Sequence, residues 1–210
     1  MTIEPEASIG LRERKKRRTR ASLAAAAAVR FERDGFEETT IEAVAEDIEI
    51  SKRTFFRYFV SKEAVAVAPE LDLWEALAAR TEQAAPTGGT VVDLIQAAIL
   101  NALQDLPDDW PELFFQCRRL VAHNPSVRAE SLRAADEAQR RLAKRLGPRM
   151  GMNDNDPVLR LAIEFGFAAW RTAARIWVSG RKRGKDSELP ATVGEVFAAI
   201  PASVALAAQP

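Results

Sequence analysis

Between Phe36 and Glu63 the chain carries two helix starts, with only two residues between the apolar pattern of the first helix and the cap of the second. In "FEETTIEAVAEDI", Thr39 and Glu42 have the spacing of a capping box, with Thr40 as the alternative cap. Ile41, Val44, Ala45 and Ile48 recur at helical spacing and form one buried face. After Glu49-Ile50, Ser51 can cap a second helix carrying "KRTFFRYFV". Two short capped helices so closely joined, with a longer one after them, describe a helix-turn-helix unit. No other feature of the chain restricts its fold as much.

The remaining sequence continues the helical pattern. A first helix is expected from near Thr19 to Asp34, with Leu23, Ala27 and Phe31 as its apolar stripe and Gly35 placed to end it. Ser61 reads as the cap of a fourth helix, in which Pro69 predicts a kink. After the loop "PTGGT", five more helices are expected at about 90–106, 110–123, 126–146, 157–179 and 190–207, punctuated by Pro107, Pro111, Asn124-Pro125, Gly147-Pro148 and Pro190. Strand formers are scarce and alanine runs common, so the expected fold is all-α with about nine helices. The expected division is a basic disordered arm over 1–18, a helix-turn-helix domain over 19–66 and a ligand-binding and dimerisation domain over 67–210.

Formal net charge is zero, so the overall balance does not predict a polyanionic partner; the distribution does. From Arg12 to Arg20 seven cations stand against one acid, Glu13, a pattern of nucleic-acid arms and of solvated tails. No apolar run approaches membrane-spanning length, and "MTIEPEASIG" lacks the form of a secretory signal, so a soluble, cytoplasmic protein without a membrane partner is expected. One cysteine and one histidine exclude an internal disulfide and the usual zinc sites. With no nucleophile–base pair and no phosphate-cradling glycine loop, no enzyme and no cofactor are expected.

In "SKRTFFRYFVSKE", four aromatics are threaded with four cations. On a helix, Phe55 and Phe59 lie about 40° apart, with Arg53 and Arg57 roughly opposite. The phenylalanines therefore face inward as core and the arginines outward. Thr54 and Phe56 flank the arginine face, and Tyr58 sits at its border, where the ring can pack and the hydroxyl meet a phosphate. In helix-turn-helix units the second helix docks in the major groove. Arginine there reads guanine in a contact worth roughly 1–3 kcal/mol, or else holds phosphate, and the sequence does not assign these roles between Arg53 and Arg57. Phe56 can pack on a thymine methyl. Thr40 and Lys62, each in or beside the first turn of a helix, are candidate phosphate contacts, and Ser51 and Lys52 at the head of the quoted stretch are further DNA-contact candidates. Arg18 and Arg20, ending the basic arm, would track the backbone or enter a minor groove.

The stretch "AAVRFERDGFEETTIEAVAEDIEISKRTFFRYFVSKEAV", Ala27 to Val65, resembles the TetR family of bacterial transcriptional regulators. The Gly35-Phe36 corner, the paired threonines, Ile50-Ser51 and "TFFRYFVSKE" carry the resemblance. It implies a homodimer on a palindromic double-stranded DNA operator, an effector-binding helical body, and a phosphate contact at Lys62. Two positions depart from the family pattern. Glu49 stands where a glycine is usual in the turn, at a cost of about 1–2 kcal/mol if the backbone there is left-handed. Phe56 stands where a tyrosine is common.

In the body, the segment 157–179 is apolar around most of its circumference and needs cover on more than one side. The last expected helix is also strongly apolar. A two-fold seam from these two helices is what the resemblance implies, with Phe167, Ala173, Trp177, Val196, Ile200 and Val204 as candidates. Trp74, Leu77, Trp110, Phe114, Phe115, Cys117, Phe165 and Trp170 are candidate linings of a cavity for a small apolar or amphipathic effector. Ordinary core also accounts for most of them singly; Cys117 reads as a small buried side chain and His123 as a helix-end residue. The reading favours a ligand-responsive repressor with Pro69 as a candidate hinge. The alternative is a helical interaction protein whose helix-turn-helix no longer binds DNA, given Glu49 and the acidic Glu42, Glu46 and Asp47.

Overall fold

The computed structural model describes residues 10–83, 89–182 and 188–206. Among them are eleven α-helices and no strands: α1 (Leu11–Asp34), α2 (Ile41–Glu46), α3 (Lys52–Phe55), α4 (Lys62–Ala66), α5 (Ala68–Gln83), α6 (Val91–Asp105), α7 (Trp110–His123), α8 (Pro125–Arg149), α9 (Pro157–Lys182), α10 (Leu189–Ala198) and α11 (Ile200–Val204). The all-α expectation holds. The count exceeds nine because two expected helices are each divided just before a proline. Val67 interrupts the segment before Ala68-Pro69, and Ala199 does so before Ile200-Pro201. In the second position of a new helix a proline lacks only an N–H that would be unpaired anyway, whereas inside a helix it loses a bond and clashes. A break therefore replaces the kink expected at Pro69.

Helix α1 begins eight residues before its expected start, so from Leu11 onward the basic run is helix rather than disordered arm. Lysine and arginine are good helix formers, and extending a helix already nucleated downstream costs little per residue. Residues 1–9 lie outside the described residues, as do most of the "PTGGT" loop, residues 183–187, and position 207 at the end of the last expected helix. Helix α8 runs past Gly147 and holds Pro148 within its last turn, where the sequence had suggested an end.

The chain forms two compact units that are discontinuous in sequence, unlike the linear division expected at residue 66. The first comprises residues up to Pro69 together with Pro111–Glu130; the second comprises Glu70–Trp110 and Ser131–Pro210. The first unit buries Leu23, Ala27, Phe31, Val44, Phe55 and Phe59. Gly35 ends α1 with φ 89° and ψ 156°, a backbone region used almost only by glycine, and Thr39 Oγ1 donates to its carbonyl at 2.7 Å. In the second unit α9 packs on α6 and α10 around Ile95, Ile99, Ile163, Phe167, Val193 and Phe197. A Cβ on Gly166 would lie 2.8 Å from Ile95 Cγ2, so this glycine sets how closely α9 approaches α6. Among the described residues no helix is long and apolar enough to cross a membrane.

Candidate nucleic-acid interface

The helix-turn-helix is built by caps at every joint. Thr40, not Thr39, caps α2, accepting from the Ala43 N–H at 3.2 Å. Ser51 caps α3, accepting from Thr54 N–H at 3.1 Å, and its hydroxyl also meets Thr54 Oγ1 at 2.9 Å. Ser61 caps α4 through Ala64 N–H. Between α2 and α3, Glu49 N–H donates to Glu46 O and Ile50 N–H to Ala45 O, each at 3.0 Å. This pair of bonds is the Schellman arrangement, which requires a left-handed residue, and Glu49 supplies it with φ 56°.

After α3 the chain tightens rather than stopping. Arg57 N–H donates to Thr54 O and Tyr58 N–H to Phe55 O, while Phe59 N–H returns to Phe55 O at 3.0 Å. Helical turns thus carry the segment to Phe59, and its two faces separate as the wheel predicts. Phe55 and Phe59 are buried with ring centroids 6.0 Å apart, while Lys52, Arg53, Phe56, Arg57 and Val60 are exposed. Phe56 at 45% and Val60 at 75% exposure leave two large apolar side chains exposed on either side of Arg57 in the chain. Val60 is a position the sequence reading passed over; its place four residues after Phe56 was the available signal.

Ion pairs tie this platform together. Lys52 Nζ meets Glu42 Oε1 at 2.6 Å, joining α3 to α2 and holding the Glu42 carboxyl below its usual range. The Arg30 guanidinium grips Asp47 with a bond of 2.7 Å from Nη2 to Oδ1, which lowers the Asp47 carboxyl pKa likewise. Lys62 Nζ donates to Phe36 O at 2.7 Å and Glu37 O at 3.1 Å, and lies over the Phe36 ring. Arg53 has no ion pair or hydrogen bond among the described residues. Arg57 donates to Tyr58 OH at 3.4 Å, which with Thr19 holds that hydroxyl below the usual phenol range. Arg20 stacks over Phe59 with its guanidinium 5.0 Å from the ring centroid, and Arg18 is exposed on α1 with its basic neighbours from Arg14.

This arrangement presents cations and two apolar side chains on one ridge over a core fixed by caps. Residues 23–68 match the family described as bacterial regulatory proteins, tetR family, and residues 89–205 match the MftR C-terminal domain. The HTH-type transcriptional regulator TcmR of Streptomyces glaucescens is 37% identical over 174 residues, 80% of this chain and 76% of that one. The chain belongs to the TetR family. It is therefore a DNA-binding transcriptional regulator by descent as well as by shape. The same fold occurs in FadR of Thermus thermophilus in complex with lauroyl-CoA (TM-score 0.51, 20% identity, 91% of this chain and 97% of that one). It also occurs in FadR of Bacillus subtilis in complex with stearoyl-CoA (TM-score 0.52, 16% identity, 85% and 96%).

In this TetR-family chain the candidate effector residues fall into both units. Phe114 and Cys117 are buried and Phe115 half-buried in the first unit. In the second, Trp74, Leu77, Trp110 and Trp170 are buried. Trp74 stacks on Phe167 at 4.8 Å and meets Trp170 edge-on at 6.2 Å, and its buried Nε1–H has no hydrogen-bond partner. Beside this cluster in sequence, Glu70 is buried and accepts from Ser131 Oγ at 2.6 Å. Phe165 is not with them; it is exposed on the other side of α9. Of the candidate seam residues, Phe167, Ala173 and Trp177 are buried within their own unit, Val196 and Ile200 are half-buried, and Val204 is exposed. The outward stripe of α9 is Val158, Leu161, Phe165 and Ile176.

Proposed function

We propose that this TetR-family regulator is a homodimeric repressor that reads a palindromic operator and leaves it when a small apolar or amphipathic effector binds. The observation carrying the DNA reading is the ridge of Arg53, Phe56, Arg57 and Val60, exposed on a segment whose opposite face is sealed by Phe55 and Phe59. Arg53 and Arg57 offer contacts to guanine edges or phosphates, and Phe56 and Val60 offer apolar contacts to thymine methyls. The basic first turns of α1, with Arg18 and Arg20, add backbone contacts that position without specifying. Thr40 and Ser51 contribute chiefly as caps, and Lys62 by holding the corner at Phe36-Glu37.

The apolar stripe of α9, with Val204 and Leu206 exposed near the end of the described chain, favours a two-fold seam. The effector reading is supported by Trp74, whose unpartnered buried N–H lies in an aromatic cluster. An effector with an apolar body and one hydrogen-bond acceptor would satisfy it. Such an effector releases DNA only by binding one conformation more tightly than the other.

The reading in which the helix-turn-helix has lost DNA binding rests on Glu49 and on the acidic Glu42, Glu46 and Asp47, of which Glu42 is paired with Lys52 and Asp47 with Arg30. With the turn closed in the Schellman form despite Glu49, the DNA reading is the better supported. Selection of binding sequences from a random duplex library tests it. The expected product is a two-fold symmetric site with half-sites about one helical turn apart. Failure to enrich any sequence at low salt would overturn it.

A further inference from the structure

Resting on the DNA-binding reading, we infer that Glu42 is an internal counter-ion that holds Lys52 away from the DNA backbone and so sets how tightly this chain binds any duplex.

The four cations of "SKRTFFRYFVSKE" are differently partnered. Arg53 and Arg57 are exposed, and neither is ion-paired among the described residues. Lys62 donates to two backbone carbonyls, those of Phe36 and Glu37. Lys52 alone meets an acid: its Nζ lies 2.6 Å from Glu42 Oε1, across the turn that joins α2 to α3. It directly precedes Arg53 and is itself exposed, so it stands beside the arginines that face DNA.

The surroundings of the pair say what it does. The two side chains are 55% and 52% exposed, so the pair lies on the surface and fills no space in the core. The Arg30–Asp47 pair differs: it ties α1 to the end of α2 and takes no cation from the recognition segment. Lys52 and the backbone N–H of Glu42 itself hold the Glu42 carboxyl below its usual range, so it is ionised at neutral pH. A DNA phosphate approaching Lys52 must therefore displace a carboxylate. One ion pair is exchanged for another, and the released carboxylate is left beside a polyanion. The gain that a lysine normally draws from a phosphate contact is lost at this residue. Phosphate contacts carry no sequence information, so the loss is the same on every duplex.

The test is a double-mutant cycle on the full-length protein. Affinity for the selected operator and for a duplex of random sequence is measured across a salt series for the parent, E42Q, K52Q and E42Q/K52Q. E42Q is expected to bind both duplexes about fivefold more tightly at low salt, the limit for an exposed ion pair. The ratio of the two affinities should stay unchanged, while the slope of log affinity against log salt steepens by about 0.9. With Lys52 replaced, E42Q is expected to lose both the gain and the steeper slope. An E42Q protein that binds no more tightly than the parent would overturn the inference. So would a gain that persists in full on the K52Q background, which marks simple removal of a repelling charge. A parent that binds neither duplex would overturn the DNA-binding reading, and this inference with it.

Discussion

Glu49 is the residue at which local chemistry and tertiary structure disagree most plainly. Its φ of 56° is forced by the two bonds that close the turn, and a side chain there costs about 1 kcal/mol relative to glycine. Replacing it, E49G, is expected to raise unfolding stability by about that amount, seen as a higher urea midpoint with an unchanged slope. A lower midpoint would mean that Glu49 makes a compensating contact. The departure from glycine was visible in the sequence, but the conformation was not, because it depends on where the preceding helix ends. Lys62 shows the same limit. Its two carbonyl partners, brought near by the fold of residues 36–37, are not legible from its place after a cap.

At the scale of elements, periodicity and punctuation located nearly every helix, and the differences trace to prolines and charge. Pro69 and Pro201 mark new starts rather than kinks, and the basic run lengthens α1 instead of fraying it. The buried face of α9 was harder to place, since small residues and aromatics occur on both sides of it. Gly166 identifies that face through its approach to Ile95. G166A should gain helix propensity of about 1 kcal/mol but lose more through the clash, leaving a net destabilisation of about 1 kcal/mol. Thermal denaturation checks this, and I95V should recover part of the loss; a G166A protein more stable than the parent would contradict the packing. Ion pairs within and between elements give a pH dependence. The carboxyls of Asp34, Glu42, Asp47 and Glu137 are all held below their usual range by arginine or lysine partners. A folded value below the unfolded one stabilises at pH above the unfolded value, and the gain is lost as pH falls through the folded value. Urea midpoints should therefore fall from about pH 5 downward, less steeply at high salt; a rise on acidification would contradict these pairings.

For the whole molecule, the two compact units do not follow the linear order of the chain. Residues 111–130 return to the unit that carries the helix-turn-helix, so Phe114 and Cys117 were grouped with Trp74 by sequence but lie in another compact unit. The outward stripe of α9 makes oligomeric state a sharp test at this scale. F165E or L161E is expected to shift sedimentation from dimer to monomer while leaving the helical content unchanged, because both side chains are exposed in the single chain. A dimer that survives both would place the seam elsewhere. Binding of operator DNA by the ridge of α3 together with the basic run of α1 is measured by affinity for the selected operator against salt concentration. Log affinity is expected to fall as a straight line against log salt, with a slope of about −0.9 per phosphate contact. Neutralising Arg14 and Arg18 should flatten it, and R53A with R57A should remove the preference over scrambled duplex. Affinity independent of salt, or selectivity unchanged in the R53A/R57A protein, would contradict it.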